Sequence, residues 1–99
     1  MNIRIEGNSV VVTSNNVKVL HLDDFPTSEL RSQLCNWLVA VTEENAKCFI
    51  FESTERNQTG SFRIEPRPNG WQLTSIKEST RSNELLSLQE WRNILNNVL

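Results

Sequence analysis

Apolar residues recur at i, i+4, i+7, i+8 and i+11 in Leu30, Leu34, Trp37, Leu38 and Val41, the spacing that lines one face of an α-helix of about four turns. On either side of that stripe the apolar period drops to two, the signature of half-buried β-strands. A chain with one helical stripe between two sets of short alternating runs has few folds open to it. Layered α+β architectures are the main ones.

In the first set, Ile3 and Ile5 alternate with polar residues, Gly7-Asn8 marks a tight turn, and the β-branched run Val10 to Thr13 follows. Ser14-Asn15-Asn16 is a second turn, and Val17 to Leu22 reads as a third strand. Pro26 then ends strand structure by removing an amide donor, and Thr27, with Asp24 second, is the expected N-cap of the helix. Glu43-Glu44-Asn45 is expected to close it.

Beyond the helix, Lys47 to Glu52 is apolar on both sides in its middle and predicts a strand near the centre of a sheet. Ser61 to Glu65 alternates cleanly, Pro66-Arg67-Pro68-Asn69-Gly70 is a turn, and Trp71, Leu73 and Ser75 alternate in a further strand. Glu78 to Asn83 reads as a surface loop, and Glu84-Leu85-Leu86 can add one short strand. The last element is specified twice: Ser87 and Glu90 form a capping box, and Leu86 and Trp91 a hydrophobic staple, ahead of the stripe Leu88, Trp91, Ile94, Leu95 and Val98. The expected fold is a single α+β domain over residues 1–99. It has six to seven antiparallel strands in two meanders, curved toward a half-barrel, in the order β-β-β-α-β-β-β-(β)-α.

Composition narrows function. Ten Lys plus Arg stand against twelve Asp plus Glu, a net charge of −2. The basic excess that drives affinity for phosphate backbones is missing, so direct nucleic-acid binding is not expected. Arg56, Arg63, Arg67 and Trp71 are the residues that would support it. No apolar run reaches the roughly 18 residues of a membrane span, and the N-terminal residues lack the features of a signal peptide, so a cytoplasmic location is expected.

His21 is the one histidine, and Cys35 and Cys48 lack CxxC spacing; we expect no metal, no cofactor and no enzymatic activity. Both thiols are expected to be reduced and buried. The glycines begin no phosphate-binding loop. What gathers instead is acid at element ends: Asp23, Asp24 and Glu29 before and at the helix start, Glu43 and Glu44 after it, Glu52 and Glu55 beyond the next strand. Such charges suit a basic partner, since charged rims steer encounter and set specificity. Trp37 and Trp91 sit on core stripes, whereas Trp71, opening a strand after a turn, either closes the core or stands exposed as a binding anchor.

The segment ELRSQLCNWLVAVTEENAKCFIFESTERNQTGSFRIEPRPNGWQLTS, Glu29 to Ser75, resembles small bacterial immunity-like domains. In these a helix ending in Trp-Leu precedes an F-x-F-E-S strand, a polar turn and a G-W strand. Similar proteins accompany polymorphic or contact-dependent growth-inhibition toxins. The resemblance implies an inhibitor that binds a cognate toxin domain, a nuclease in many cases, one to one, and covers its active site. Of the matching positions, Trp37, Phe49, Phe51, Glu52, Ser53, Gly70 and Trp71 look architectural. The expected partner-facing set, read from this sequence, is Asp23, Asp24, Glu43, Glu44, Glu52, Glu55 and Trp71. A non-catalytic assembly module acting as a homodimer or adaptor is the alternative.

Overall fold

The structure, a computed structural model, describes residues 1–51, 62–75, 80–81 and 84–99. Its element order is β1 (Asn2–Glu6), β2 (Ser9–Ser14), β3 (Val17–Leu22), α1 (Thr27–Ala40), β4 (Phe49–Ile50), β5 (Phe62–Arg67), β6 (Gly70–Ser75), β7 (Thr80–Arg81) and α2 (Leu88–Asn96). This is the expected α+β arrangement of two meanders around one helix, with a second helix at the end. The meanders are two separate antiparallel ladders, β1-β2-β3 and β4-β5-β6-β7, and no hydrogen-bonded strand pair joins them among the described residues. The half-barrel expected from the sequence is therefore not closed by hydrogen bonds.

The first sheet follows from its turns. Asn15 and Asn16 both take positive φ (53° and 64°), the dihedral pair of a type I′ turn, whose twist matches that of the strands it joins. Ile3, Val10, Val12, Leu20 and Leu22 point inward and are buried. Arg4, Val11 and His21 stand in one row on the outer face, in register across all three strands.

The inward faces of both sheets and the stripes of both helices meet in one core. A residual gap of about 10 Å³ is walled by side chains from β1, β2, α1, β5, β6 and α2, including Ile3, Val12, Leu34, Ile64, Leu73 and Leu95. Aromatic rings fill the other half: Phe25 and Phe51 lie 4.8 Å apart, Trp37 and Phe49 5.7 Å, and Trp37 meets Trp71 edge-on at 5.8 Å. Tilted and edge-on contacts at such distances add to plain area burial.

The N-cap of α1 lies one residue earlier than expected. Pro26 occupies the N-cap position, and no side chain caps the helix. Thr27 is instead the first helical residue, and its hydroxyl donates to the Gly7 carbonyl at 2.7 Å. That bond and Phe25 N–H donating to Asn8 O at 2.8 Å tie the helix start to the β1–β2 turn. α1 also ends earlier than expected, at Ala40. α2 matches its prediction: Ser87 accepts from Glu90 N–H, and Glu90 accepts from Ser87 N–H.

β4 differs from expectation. Among the described residues it is an edge strand, not a central one, and Ile50, its second residue, is 42% exposed. The surface loop expected over Glu78 to Asn83 contains β7 where it is described, and Leu86 pairs with Trp71 as an isolated bridge. Cys35 is exposed and Cys48 half-buried, which corrects the expectation that both are buried. Cys35 lies one residue past Leu34, about 100° around the helix from the stripe.

Candidate functional site

The described acids of the expected set flank the two ends of α1. Asp23 and Asp24 occupy the corner between β3 and α1, where Asp24 takes a left-handed φ of 52°, a conformation that aspartate tolerates better than most residues. Asp23 accepts from Ser9 Oγ at 3.0 Å and meets His21 Nε2 at 3.0 Å through the same oxygen. The carboxylate therefore stands between serine and imidazole. In a hydrolytic triad the imidazole is central, so the order here is wrong for activating the hydroxyl.

Glu43 and Glu44 lie past the other end of α1. A 14-residue helix separates the two pairs, and at 1.5 Å per residue that is roughly 20 Å. Glu52 and Glu55 lie outside the described residues. The two described acid pairs are therefore well separated along α1.

Trp71 is in the core, 3% exposed, so its reading as an exposed anchor is corrected. Its amide donates to Leu86 O at 2.8 Å, and its own carbonyl accepts from Leu86 N–H at 3.1 Å and from Trp91 Nε1 at 3.1 Å. Trp37 Nε1 donates to Lys47 O at 2.6 Å. Every indole in the chain is thus built into the scaffold, two of them by a donated N–H.

Trp71 forms the back of an open groove of about 500 Å³ between the Pro66–Gly70 turn, the segment after α1 and the start of α2, with Glu43, Arg67, Leu85 and Glu90 among its walls. The turn approaches Leu85-Leu86 closely. A Cβ at Gly70, whose φ is +149°, would lie 3.0 Å from Leu86 O, so only glycine lets the backbones meet there.

Charge in the groove is partly committed. Arg67 reaches Glu65 Oε2 at 2.8 Å and Gln72 Oε1 at 3.3 Å, and Glu90 accepts the Ser87 amide. Glu43 has no ion-pair partner among the described residues. Glu90 and Arg67 were not expected here. Glu90 is visible in the sequence as a cap, which gives no hint that the cap borders a groove.

Little in the described residues favours bond-making chemistry. Burial, and secondarily the Glu65 carboxylate, push the Cys48 thiol above its ordinary pKa, away from the reactive thiolate. Among the described residues no three His, Cys, Asp or Glu side chains lie close enough to hold a metal ion.

The model of a domain of unknown function, DUF7878, matches residues 1–99. This chain belongs to that family. No curated protein and no solved structure matches the chain. In this DUF7878 domain, then, the groove beside Glu43 and the corner at Asp23 are where the described expected acids lie. No helix among the described residues is long and apolar enough to cross a membrane.

Proposed function

We propose that this domain is a non-catalytic binding protein that neutralises a bacterial toxin domain in the cytoplasm, as a monomer in a one-to-one complex. The observation that carries the reading is the groove between Glu43, the Pro66–Gly70 turn and Glu90. Its walls are mainly polar and it is open to solvent, whereas small-molecule sites are enclosed and mostly apolar. It is backed by Trp71, which is buried and bonded through its backbone to Leu86, so little ordering cost falls on a partner that docks there. The resemblance of Glu29 to Ser75 to immunity-like domains supplies the kind of partner. Glu43 and Glu44 supply its charge, which is basic.

A standard interface takes about 800 Å² from each side, a patch about 30 Å across. Centred on Glu43, such a patch takes in Glu44 and Glu90 but leaves Asp23 and Asp24 at its margin or beyond. The test is association with the toxin domain encoded beside this chain, followed by stopped flow and calorimetry. Glu43→Lys with Glu44→Lys is expected to slow association by about tenfold or more, and Asp23→Lys with Asp24→Lys by less than about twofold. Absence of binding to any neighbouring toxin domain would sink the proposal.

A second reading, a homodimeric assembly module, draws on the shallow groove of Cys35, Val39, Thr42, Asn96 and Leu99 between the helices, where Val39 is 87% exposed. Light scattering distinguishes the two: a stable dimer supports this reading, a monomer the first.

A further inference from the structure

Among the described residues β4 has no strand partner on the side away from β5, and the register fixes which backbone groups that edge presents. Phe51 N–H donates to Phe62 O, and Phe49 pairs with Ile64 and Ile50 with Arg63. In an antiparallel ladder hydrogen-bonded and non-hydrogen-bonded pairs alternate. Phe49 and Phe51 therefore direct their N–H and C=O toward β5. Ile50, in the non-hydrogen-bonded pair between them, directs both groups away from the sheet.

Beside this edge runs a groove of about 230 Å³ lined by Lys47 to Ile50 on one side and by Gln33, Asn36 and Trp37 of α1 on the other. Backbone donors and acceptors at a strand edge are best satisfied by another strand. Natural edges are commonly protected by proline, by lysine within the strand, by a bulge or by a covering element. Ile50 is an apolar β-branched residue, 42% exposed, and the β4–β5 register is regular where it is described.

The charge beside this edge is positive. Lys47 is exposed just before the strand, and Arg63 and Arg67 lie on the outer face of β5, with the mostly buried Glu65 between them. Among the described residues, that outer face holds two arginines against one carboxylate, and Lys47 adds a cation ahead of β4. An added strand would lie about 5 Å beyond β4 and about 10 Å from β5, a span that the long side chains of Arg63 and Arg67 and of incoming acids bridge together.

We propose that β4 takes up an extended segment of another protein by strand addition, with Ile50 N–H and C=O as the central backbone contacts and with acidic residues on the outward face of the incoming strand. This contact lies on a different surface from the groove at Glu43 and does not depend on the toxin reading. Strand addition of this kind draws affinity from main-chain bonds and selectivity from alternate side chains.

The probe is a capped heptapeptide of alternating glutamate and valine, compared with its lysine-for-glutamate counterpart, each titrated against the full chain. The glutamate peptide is expected to bind, and to slow hydrogen exchange of the Ile50 amide, which should exchange freely in the unbound protein. The lysine peptide is expected to bind at least about fivefold more weakly, with the gap narrowing at high salt. Ile50→Pro removes the outward donor without removing a bond of the native ladder, and should weaken binding by about tenfold or more. Should that variant unfold, the exchange measurement on the unaltered chain decides alone. No binding up to about 1 mM peptide, an Ile50 amide already protected in the free protein, or a folded Ile50→Pro variant that binds unchanged would each overturn the proposal.

Discussion

Arg92 of α2 donates through Nη2 to the carbonyl oxygen of Val41, at 2.6 Å, just past the end of α1. Its other terminal nitrogen, Nη1, donates to Leu38 O, also at 2.6 Å. The last carbonyls of a helix lack intrahelical donors and carry the negative end of its dipole. α1 has no basic residue in its own last turn, so α2 supplies one from 51 residues along the chain. The guanidinium joins the two helices at the point where the chain turns toward Glu43.

Arg92→Met is expected to lower stability by about 2 to 3 kcal/mol, because two charge-assisted bonds go and two carbonyls lose their donors. Arg92→Lys, which can keep one bond but not the fork, should cost less. Urea unfolding of the three proteins measures both. Equal midpoints would show that water replaces the guanidinium without loss.

Trp91 is fully buried, 0% exposed, and its indole N–H donates to Trp71 O. Trp91→Phe removes that donor and leaves a small cavity, at an expected cost of about 1 to 3 kcal/mol. Trp71 O retains its bond from Leu86 N–H, so the bridge between Trp71 and Leu86 should persist but open more often. Faster exchange of the Leu86 amide, alongside the drop in stability, is the combined signature.

What could be read from the sequence was local. The capping box at Ser87 and Glu90 lies within four consecutive residues, and the structure contains it as written. The α1 stripe was equally legible, since Leu30, Leu34, Trp37, Leu38 and Val41 all lie in the core. Thr27 misled because its hydroxyl is used in a long-range bond to Gly7 O, which nothing near it in the chain announces. Phe49-Ile50-Phe51 misled because an apolar run cannot distinguish a strand enclosed by two neighbours from one with an open edge.

The acids show the same limit. Asp23-Asp24 and Glu43-Glu44 read as one class of charged element ends, and each pair is where the sequence placed it relative to α1. Whether they share a surface depends on the length of the helix between them, and that length keeps them apart. Trp71 was undecided because a turn-proximal indole is compatible with either side of a sheet until its partners, Leu86 and Trp91, are known.

Cys35 and Cys48 should differ in reactivity. Cys35 is exposed on α1, while the Cys48 thiol is half-buried and its pKa is raised, chiefly by desolvation. At pH 8 an alkylating reagent should modify Cys35 first, leaving Cys48 largely intact unless the protein unfolds. Mass spectrometry of the singly modified species locates the label. Labelling of Cys48 at the rate of Cys35 would contradict the burial that raises its pKa.

Glu84 fastens the segment ahead of α2 to the first sheet. It accepts from Ser14 Oγ at 2.7 Å and from the Met1 ammonium at 3.0 Å. The Ser14 hydroxyl, and after it the ammonium, hold its carboxyl below the ordinary value of 4.5. A carboxyl with a lowered folded pKa contributes stability that is fully present above its unfolded value and lost as pH falls through the folded one. Glu84 keeps contact with solvent, so Glu84→Gln should cost only about 0.5 to 1 kcal/mol at neutral pH. The gap between the two proteins should hold down to about pH 5 and close below pH 4.5 as Glu84 in the unaltered chain takes up its proton. Ser14→Ala, which removes the largest cause of the shift, should move that closing point upward, toward 4.5. Urea midpoints measured from neutral to acid pH give the curve, and a gap that stayed constant through the acid range would show that Glu84 acts in the fold by shape and not by charge.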